Sequence, residues 1–390
     1  MTDPKAITRI QVQGFRSLKS IDLEPGRITV LIGANGSGKS NLLSVLRMVP
    51  LLRTQSLRRF VAESGGASAL LHYGSSATQE FGLRIEFTEN TGFYAYSAKL
   101  GYTSGDTLHF DEEGIEGRPL GDHEPLTESL GAGHIESRLD EAARGLASTD
   151  LKVVRAWLSG MSFFHFHDTS RTSPLRQNAR QSEDQYLRSD GSNLAAYLFI
   201  LANSDATDDI AAWKRIGMLV RRVAPYIKRL VPERVDPSHP ERSALRLRWI
   251  DENDHRFDVS DLSDGTLRAL ALITALSQPV NRLPRFLSID EPELGLHPAA
   301  LGLVADLVRS VSSRCQVLLA TQSPALLDHF EPGEVVVAER QSGETSLRRL
   351  DAARLASWLE DYSLSELFDK NILGGRPHFD ALGSLAGATP

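Results

Sequence analysis

The sequence predicts an α/β fold: a mixed sheet holding a phosphate-binding loop, an antiparallel β subdomain beside it, and a helical insertion between the two halves of the site. Three observations predict it. The apolar run Ile28 to Ile32 reads as a buried strand, and Gly33-Ala34-Asn35-Gly36-Ser37-Gly38-Lys39-Ser40 follows it. An apolar helical stretch comes next, Asn41 to Val49, which Pro50 should stop. A second apolar strand, Arg285 to Ile289, ends in the acid pair Asp290-Glu291. Phe81 to Phe87 and Phe93 to Tyr102 alternate as paired antiparallel strands, whereas 135–235 turns to helical spacing.

The segment Gly33 to Ser40 is a Walker A loop in the strand–loop–helix setting that such a loop needs. A triphosphate carries several negative charges, and a ring of backbone N–H groups at a helix N-terminus holds them. Glycines let the chain wrap that closely. Gly33, Asn35, Gly36, Ser37, Gly38 and Asn41 are therefore expected to form the cradle. Lys39 is expected to reach the β- and γ-phosphates, and Ser40 to ligate Mg²⁺.

At the end of its strand, Asp290 is placed to hold the Mg²⁺ shell, and Glu291 to orient or deprotonate an attacking water. The alternative is a strand whose polar end only meets solvent. Asp261-Leu262-Ser263-Asp264-Gly265-Thr266-Leu267-Arg268 precedes the apolar helix Ala269 to Leu276. Ser263 is thus a natural N-cap, and Gly265 leaves the helix mouth open. Alone this is an ordinary helix start; its place some twenty-odd residues before the Asp290 strand favours a role at the nucleotide.

Composition excludes several classes. With 41% hydrophobic and 24% charged residues the chain is ordinary for a globular protein. No apolar stretch approaches the ~20 residues that span a bilayer, so no membrane partner is expected. Met1 to Lys5 leads directly into a strand and resembles no secretory signal. Cys315 is the single cysteine, which leaves no internal disulfide and no thiolate metal cluster, and a cytoplasmic location is expected. A net charge of −7 argues against a globally basic DNA-coating protein and leaves local patches open.

The remaining elements follow in order. Gly105 to Gly133 reads as hairpin loops or a mobile connection, and Ile135–Leu146 and Leu151–Ser159 as helices. Asp190-Gly191-Ser192-Asn193 reads as the cap of a helix through Leu201, which accounts for it better than a catalytic serine turn. Ile210 to Leu230 reads as a helix interrupted at Pro225, and Leu245–Ile250 with Arg256–Val259 as a hairpin. If that helix survives Pro225, Arg215, Arg222 and Arg229 line one stripe, with Lys214, Arg221 and Lys228 nearby. The stripe suits nucleic-acid phosphates, a partner's acidic surface or plain solvent. His165 and His167 fall on one strand face beside Asp168. A metal or nuclease centre there would need distant ligands, and paired histidines at the core edge are the favoured reading.

The order Walker A, Leu262-Ser263-Asp264-Gly265, Asp290-Glu291-Pro292 and Thr321-Gln322-Ser323-Pro324 resembles the ATP-binding-cassette (ABC) ATPases. More narrowly it is similar to the branch with RecF, the structural-maintenance-of-chromosomes (SMC) heads and the overcoming-lysogenisation-defect (OLD)-like ATPases. Gly14-Phe15-Arg16-Ser17, Glu293 to Pro298, Phe166–Thr169 and Asp190–Ala195 add to the likeness. The resemblance implies an ABC-type head using ATP and Mg²⁺. Ser263 and Gly265 would cap the γ-phosphate of ATP on the other protomer, giving a head-to-tail homodimer around two ATPs. Leu294 to His297 would cross the dimer seam. Gln322 stands where transporter cassettes carry a histidine that senses the γ-phosphate; glutamine donates but does not titrate, which implies slow hydrolysis. Gln55 and Gln79 are both candidates for the expected glutamine-bearing loop. Arg16 is either a phosphate contact or a surface arginine.

The expected division is 1–134, the head's N-terminal lobe with Walker A; 135–240, the helical insertion; 241–350, the C-terminal lobe; and 351–390, a helical tail. The resemblance implies an ATPase that regulates a DNA-related process such as repair or anti-phage defence, with DNA as a candidate ligand. The about 40 residues beyond the last strand are too few for an appended nuclease domain, so a separate effector, a nuclease or toxin, is expected. An ATP-dependent switch or scaffold with little turnover is the alternative. A transporter motor fits less well: Ser263 lies 224 positions after Lys39, with a helical block between. No heptad run supports a chromosome tether.

Overall fold

The computed structural model describes residues 5–120, 126–144, 148–180, 185–239 and 243–376. The chain begins with the hairpin β1 (Ala6–Phe15) and β2 (Leu18–Leu23), then enters a second sheet as β3 (Ile28–Ile32), followed by α1 (Lys39–Arg53) and α2 (Leu57–Glu63). It returns as β4 (Glu80–Glu89), β5 (Gly92–Thr103), β6 (Thr107–Pro119) and β7 (Leu126–Gly131), completing an antiparallel sheet of order β2-β1-β4-β5-β6-β7. Helices α3 (Leu139–Arg144) and α4 (Thr149–Ser159) lead to β8 (Met161–Phe164). Then α5 (Leu194–Asn203) and α6 (Thr207–Val223) precede a three-stranded sheet of β9 (Ile227–Arg234), β10 (Leu245–Asp251) and β11 (Arg256–Asp258). The last third supplies α7 (Asp264–Leu276), β12 (Phe286–Asp290), α8 (Pro298–Ser312), β13 (Gln316–Thr321), α9 (Pro324–Leu327), β14 (Val335–Gln341), β15 (Glu344–Arg349), α10 (Ala352–Leu359) and α11 (Leu364–Asp369).

The central sheet has the order β15-β14-β3-β13-β12-β8, parallel except for β15. Every residue of β3 and β13 is buried, as parallel strands covered on both faces require. Val30 and Ile32 join the core shared with α7 and α8, and Leu31 joins the one shared with α1 and the antiparallel sheet. Because β3, β12, β13 and β8 run the same way, their C-terminal ends share one rim of the sheet, where α/β proteins place their ligands.

A buried glutamine ties the two sheets together. Gln316, 1% exposed, accepts from Ile7 N–H (2.8 Å), and its amide donates to the carbonyls of Ile7 (2.9 Å) and Gly26 (2.9 Å). Gln316→Leu keeps the volume but orphans these backbone groups. We expect it to destabilise the fold by about 1–3 kcal/mol, read from the midpoint of urea unfolding.

Several expectations are corrected. Pro50 lies inside α1 and does not stop it; the flanking Leu46, Val49 and Leu52 are buried, and this packing outweighs the single hydrogen bond that proline removes. Most of 105–133 is strand, β6 and β7, with 121–125 outside the described residues. The block 135–240 is not uniformly helical: β8 is the edge strand of the central sheet and β9 pairs with β10. The first helix of that block is α3 alone, since 135–138 precede it and 145–147 lie outside the described residues. Asn193 does stand at the N-cap of α5, but its side chain makes no cap hydrogen bond. It accepts from Arg188 N–H and donates to the Tyr186 carbonyl, closing the preceding loop instead. Among the described residues no helix is long and apolar enough to cross a membrane.

Candidate functional site

The Walker A loop leaves β3 at Gly33 and enters α1 at Lys39. Gly38 adopts φ +104°, and a Cβ there would stand 2.0 Å from Thr345 Oγ1. At Gly33 a Cβ would stand 2.2 Å from the Ala338 carbonyl, whereas Gly36, at φ +79°, faces open space. A chain of side chains braces the loop from behind. Asn41 Nδ2 donates to Ser17 Oγ (2.7 Å), Ser17 Oγ lies 2.7 Å from Thr345 Oγ1, and Thr345 Oγ1 donates to the Ser37 carbonyl (3.0 Å). Each hydroxyl has one proton, so the direction is fixed: Thr345 gives its proton to Ser37 and therefore accepts from Ser17. The loop's Ala34 N–H donates to the Gly375 carbonyl (2.8 Å), and Gly375 N–H is held by Glu339 (2.7 Å).

Lys39 Nζ donates to the carbonyls of Gly33 (2.6 Å) and Ala34 (3.0 Å). Burial pulls its pKa down, against the nearby carboxylates of Asp290, Glu291 and Glu293. Asn35 and Ser40 are exposed, and the Ser37 hydroxyl is buried without a partner. Arg16, at φ +47°, sits in a cleft of about 230 Å³ with Ser17, Asn41, His72, Tyr73 and Arg340, beside the start of α1. Burial lowers its pKa.

On the next strands of the rim stand the acids. Burial pushes the Asp290 carboxyl above the usual range, with Lys39 and His167 opposing. Glu291 adopts φ +45°, a left-handed conformation that a non-glycine residue holds only when its surroundings enforce it; here its N–H is tied to the Ala320 carbonyl (2.7 Å). Gln322 Nε2 donates to Glu291 Oε1 (2.8 Å), and His167 Nε2 lies 3.6 Å from Oε2. Glu293 accepts from Thr321 Oγ1 (2.6 Å) and Gln322 N–H (3.2 Å), which fixes the turn that carries Gln322.

Ser263 caps α7, accepting from Thr266 N–H (3.3 Å), and is exposed. Gly265 is a glycine because a Cβ there would stand 2.5 Å from the Gly295 carbonyl. Arg176 gathers the carbonyls of Val259, Ser260 and Leu262 and the Asp264 carboxylate at the start of this motif. Arg268 donates to the carbonyls of Phe166, His167 and Leu294. The helix mouth is thereby tied to the loops beside Asp290.

The structure thus brings Lys39, Asp290, Glu291 and Gln322 to one rim, together with Gly33 to Asn41, while Arg16 lines the neighbouring cleft beside Asn41. Ser263 is exposed and Gly265 half-buried at the start of α7, against the loop that follows Glu291. The two candidate glutamines do not join. Gln55 follows the C-terminal end of α1, about 22 Å along the helix axis from the loop. Gln79 precedes β4, its carbonyl accepting from Tyr102 N–H in the antiparallel sheet. The basic stripe dissolves: α6 ends at Val223, Arg229 lies on β9, Arg215 donates to the Ser277 carbonyl, and Lys228 pairs with Asp254. His165 and His167 lie just beyond β8 rather than on it, and among the described residues no group of three or more His, Cys, Asp or Glu is placed to hold a metal. Sequence reading quoted Ser17, Glu293 and Arg268 within motifs but gave them no role, and it did not find Thr345, Arg176 or the place of His167. For Ser17 and Thr345 no local signal exists, since they are 328 positions apart.

These residues fit a nucleoside triphosphate with a divalent cation. The glycines keep the loop's N–H groups clear, Lys39 stands within it, and Ser40 with Asp290 would offer the hydroxyl and carboxylate that Mg²⁺ takes beside phosphate oxygens. A family model described as "AAA domain, putative AbiEii toxin, Type IV TA system" matches residues 28–328. The chain belongs to this family. It is 23% identical to the OLD nuclease of Thermus scotoductus over 385 residues, which is 93% of this chain and 68% of that protein. A 66-residue segment is 41% identical to the DNA replication and repair protein RecF of Anaeromyxobacter dehalogenans, covering 15% of this chain and 18% of RecF. The fold is similar to a Pyrococcus furiosus SMC head with an extended coiled coil, solved bound to the C-terminal domain of ScpA. The TM-score is 0.58 at 14% identity, over 92% of this chain and 99% of that one. The chain is an ABC-type ATPase of the RecF/SMC/OLD branch.

Proposed function

We propose that this ATPase binds ATP with Mg²⁺ in the rim described above and hydrolyses it slowly. In this reading two copies pair head to tail, so that Ser263 and Gly265 of each close the nucleotide pocket of the other. The observation that carries the proposal is the Glu291 carboxylate, held at a strand end beside the Walker A loop in a strained backbone conformation and bonded to Gln322. Mg²⁺, held by Ser40 and Asp290, would supply charge neutralisation at the phosphates. Lys39 would leave the carbonyls of Gly33 and Ala34 to meet the β- and γ-phosphates, and Glu291 would orient and deprotonate water. The exposed position of Ser263 supports pairing, since a group buried within its own subunit could not meet a second nucleotide.

The relatives support a reading of the cellular role. An OLD nuclease and a RecF repair protein among them support regulation of a DNA-related process, DNA repair or anti-phage defence, through a separate nuclease or toxin. A second reading, a switch with little turnover, is favoured by Gln322, which occupies one oxygen of Glu291 and cannot titrate. The test is gel filtration of Glu291→Gln with and without ATP beside a phosphate-release assay of the wild type. A dimer that forms only with ATP, and wild-type turnover above that of the variant, is the expected result. A nucleotide-independent monomer would remove the paired arrangement, and absent turnover would leave the switch.

A further inference from the structure

The loop after β8 delivers two histidines to the acid pair, and nothing above assigns them work. β8 runs parallel to β12 with Phe163 beside Ser288 and Phe164 beside Ile289, so the chain beyond Phe164 continues alongside Asp290 and Glu291. His167 Nε2 lies 3.3 Å from the Asp290 carbonyl oxygen. That oxygen only accepts, so Nε2 carries the proton. The same N–H lies 3.6 Å from Glu291 Oε2, on the side opposite Gln322. The two oxygens of the carboxylate therefore face two donors from two different loops. Side-chain contacts at catalytic groups are often long before substrate arrives and tighten with it.

The ring of His167 is held in place. Its own carbonyl and that of Phe166 accept from Arg268, and the His165 ring stands edge-on against it at 4.1 Å between centroids. His165 is more than half buried, which pushes its pKa down to about 4, and its Nδ1 has no partner. It acts as a neutral packing ring behind His167.

We infer that His167 is a positioning residue for Glu291: its Nε2–H steadies Oε2 while Gln322 holds Oε1, so that the carboxylate as a whole keeps its orientation toward the attacking water. The inference rests on the hydrolysis reading above. It gives the expected glutamine loop a physical replacement, an imidazole N–H donor supplied from the loop after the edge strand.

The test uses the full chain and three variants, with turnover and nucleotide affinity measured for each. His167→Phe keeps a ring against His165 and removes the donor; kcat is expected to fall by roughly 10–100-fold with KM within about threefold, the scale of misplacing a reacting group. His167→Gln restores an N–H at similar reach and is expected to recover most of that loss. Glu291→Gln sets the floor. Wild-type turnover at that floor overturns hydrolysis, and the role of His167 with it. Wild-type turnover above the floor with His167→Phe unchanged overturns the His167 inference alone. Equal losses in His167→Phe and His167→Gln also overturn it, because the ring and not its donor would then matter. A folded state, shown by retained nucleotide binding and an unshifted melting temperature, accompanies each reading.

Discussion

Glu291→Gln is expected to lower phosphate release by about 10²–10⁴-fold, the range general-base catalysis supplies, while nucleotide affinity stays within a few-fold of wild type. The amide matches the carboxylate in shape. Its carbonyl oxygen can still accept from Gln322, and the backbone hydrogen bond from residue 291 to the Ala320 carbonyl is untouched, so the left-handed turn should survive. What disappears is the ability to take a proton from water. The measurement is a single-turnover phosphate-release time course beside an equilibrium titration with ATP. A parallel loss of binding would mean that the substitution disturbed the loop; an unchanged rate would remove Glu291 as the base. Under the proposed pairing, the same variant also holds its ATP-bound dimer longer than wild type does.

Gly38→Ala is expected to weaken ATP binding by about 5–150-fold, the equivalent of ~1–3 kcal/mol of strain placed on the loop. Two effects act together. The backbone at φ +104° disfavours any side chain, and the new Cβ would fall 2.0 Å from Thr345 Oγ1, 2.8 Å from its methyl carbon and 2.9 Å from Ser17 Oγ. The nearest neighbours are the two hydroxyls that brace the loop, so relief comes only by breaking the Asn41–Ser17–Thr345–Ser37 chain or by moving the loop's N–H groups. Calorimetric titration with ATP checks the outcome, with far-UV circular dichroism to confirm an intact fold. An unchanged dissociation constant would show that the brace has slack.

Local motifs made the heart of the site legible. A buried strand, a glycine loop and a helix start are contiguous in Ile28 to Val49, and Asp290-Glu291 closes a run of apolar residues, so both could be read without a partner in view. Ser263 as a cap was legible for the same reason. What escaped is what depends on distant pairing. β8 is four residues long, Met-Ser-Phe-Phe, and only its neighbour β12 reveals it as the sheet's edge. Without that edge His167 could not be placed beside Glu291. Pro50 misled because a proline's local penalty was weighed without the buried residues around it. Arg229 misled because helical spacing was carried through Pro225, where the chain turns to pair with β10.

The braces of the phosphate loop also order events in time. Ser17 waits for Thr345, 328 positions later, and Ala34 for Gly375. A nascent chain emerging from the ribosome displays the strand, the glycines and Lys39 well before the groups that brace them, the Thr345 hydroxyl and the Gly375 carbonyl. The brace of that loop is thus complete only once Thr345 and Gly375 have followed it out.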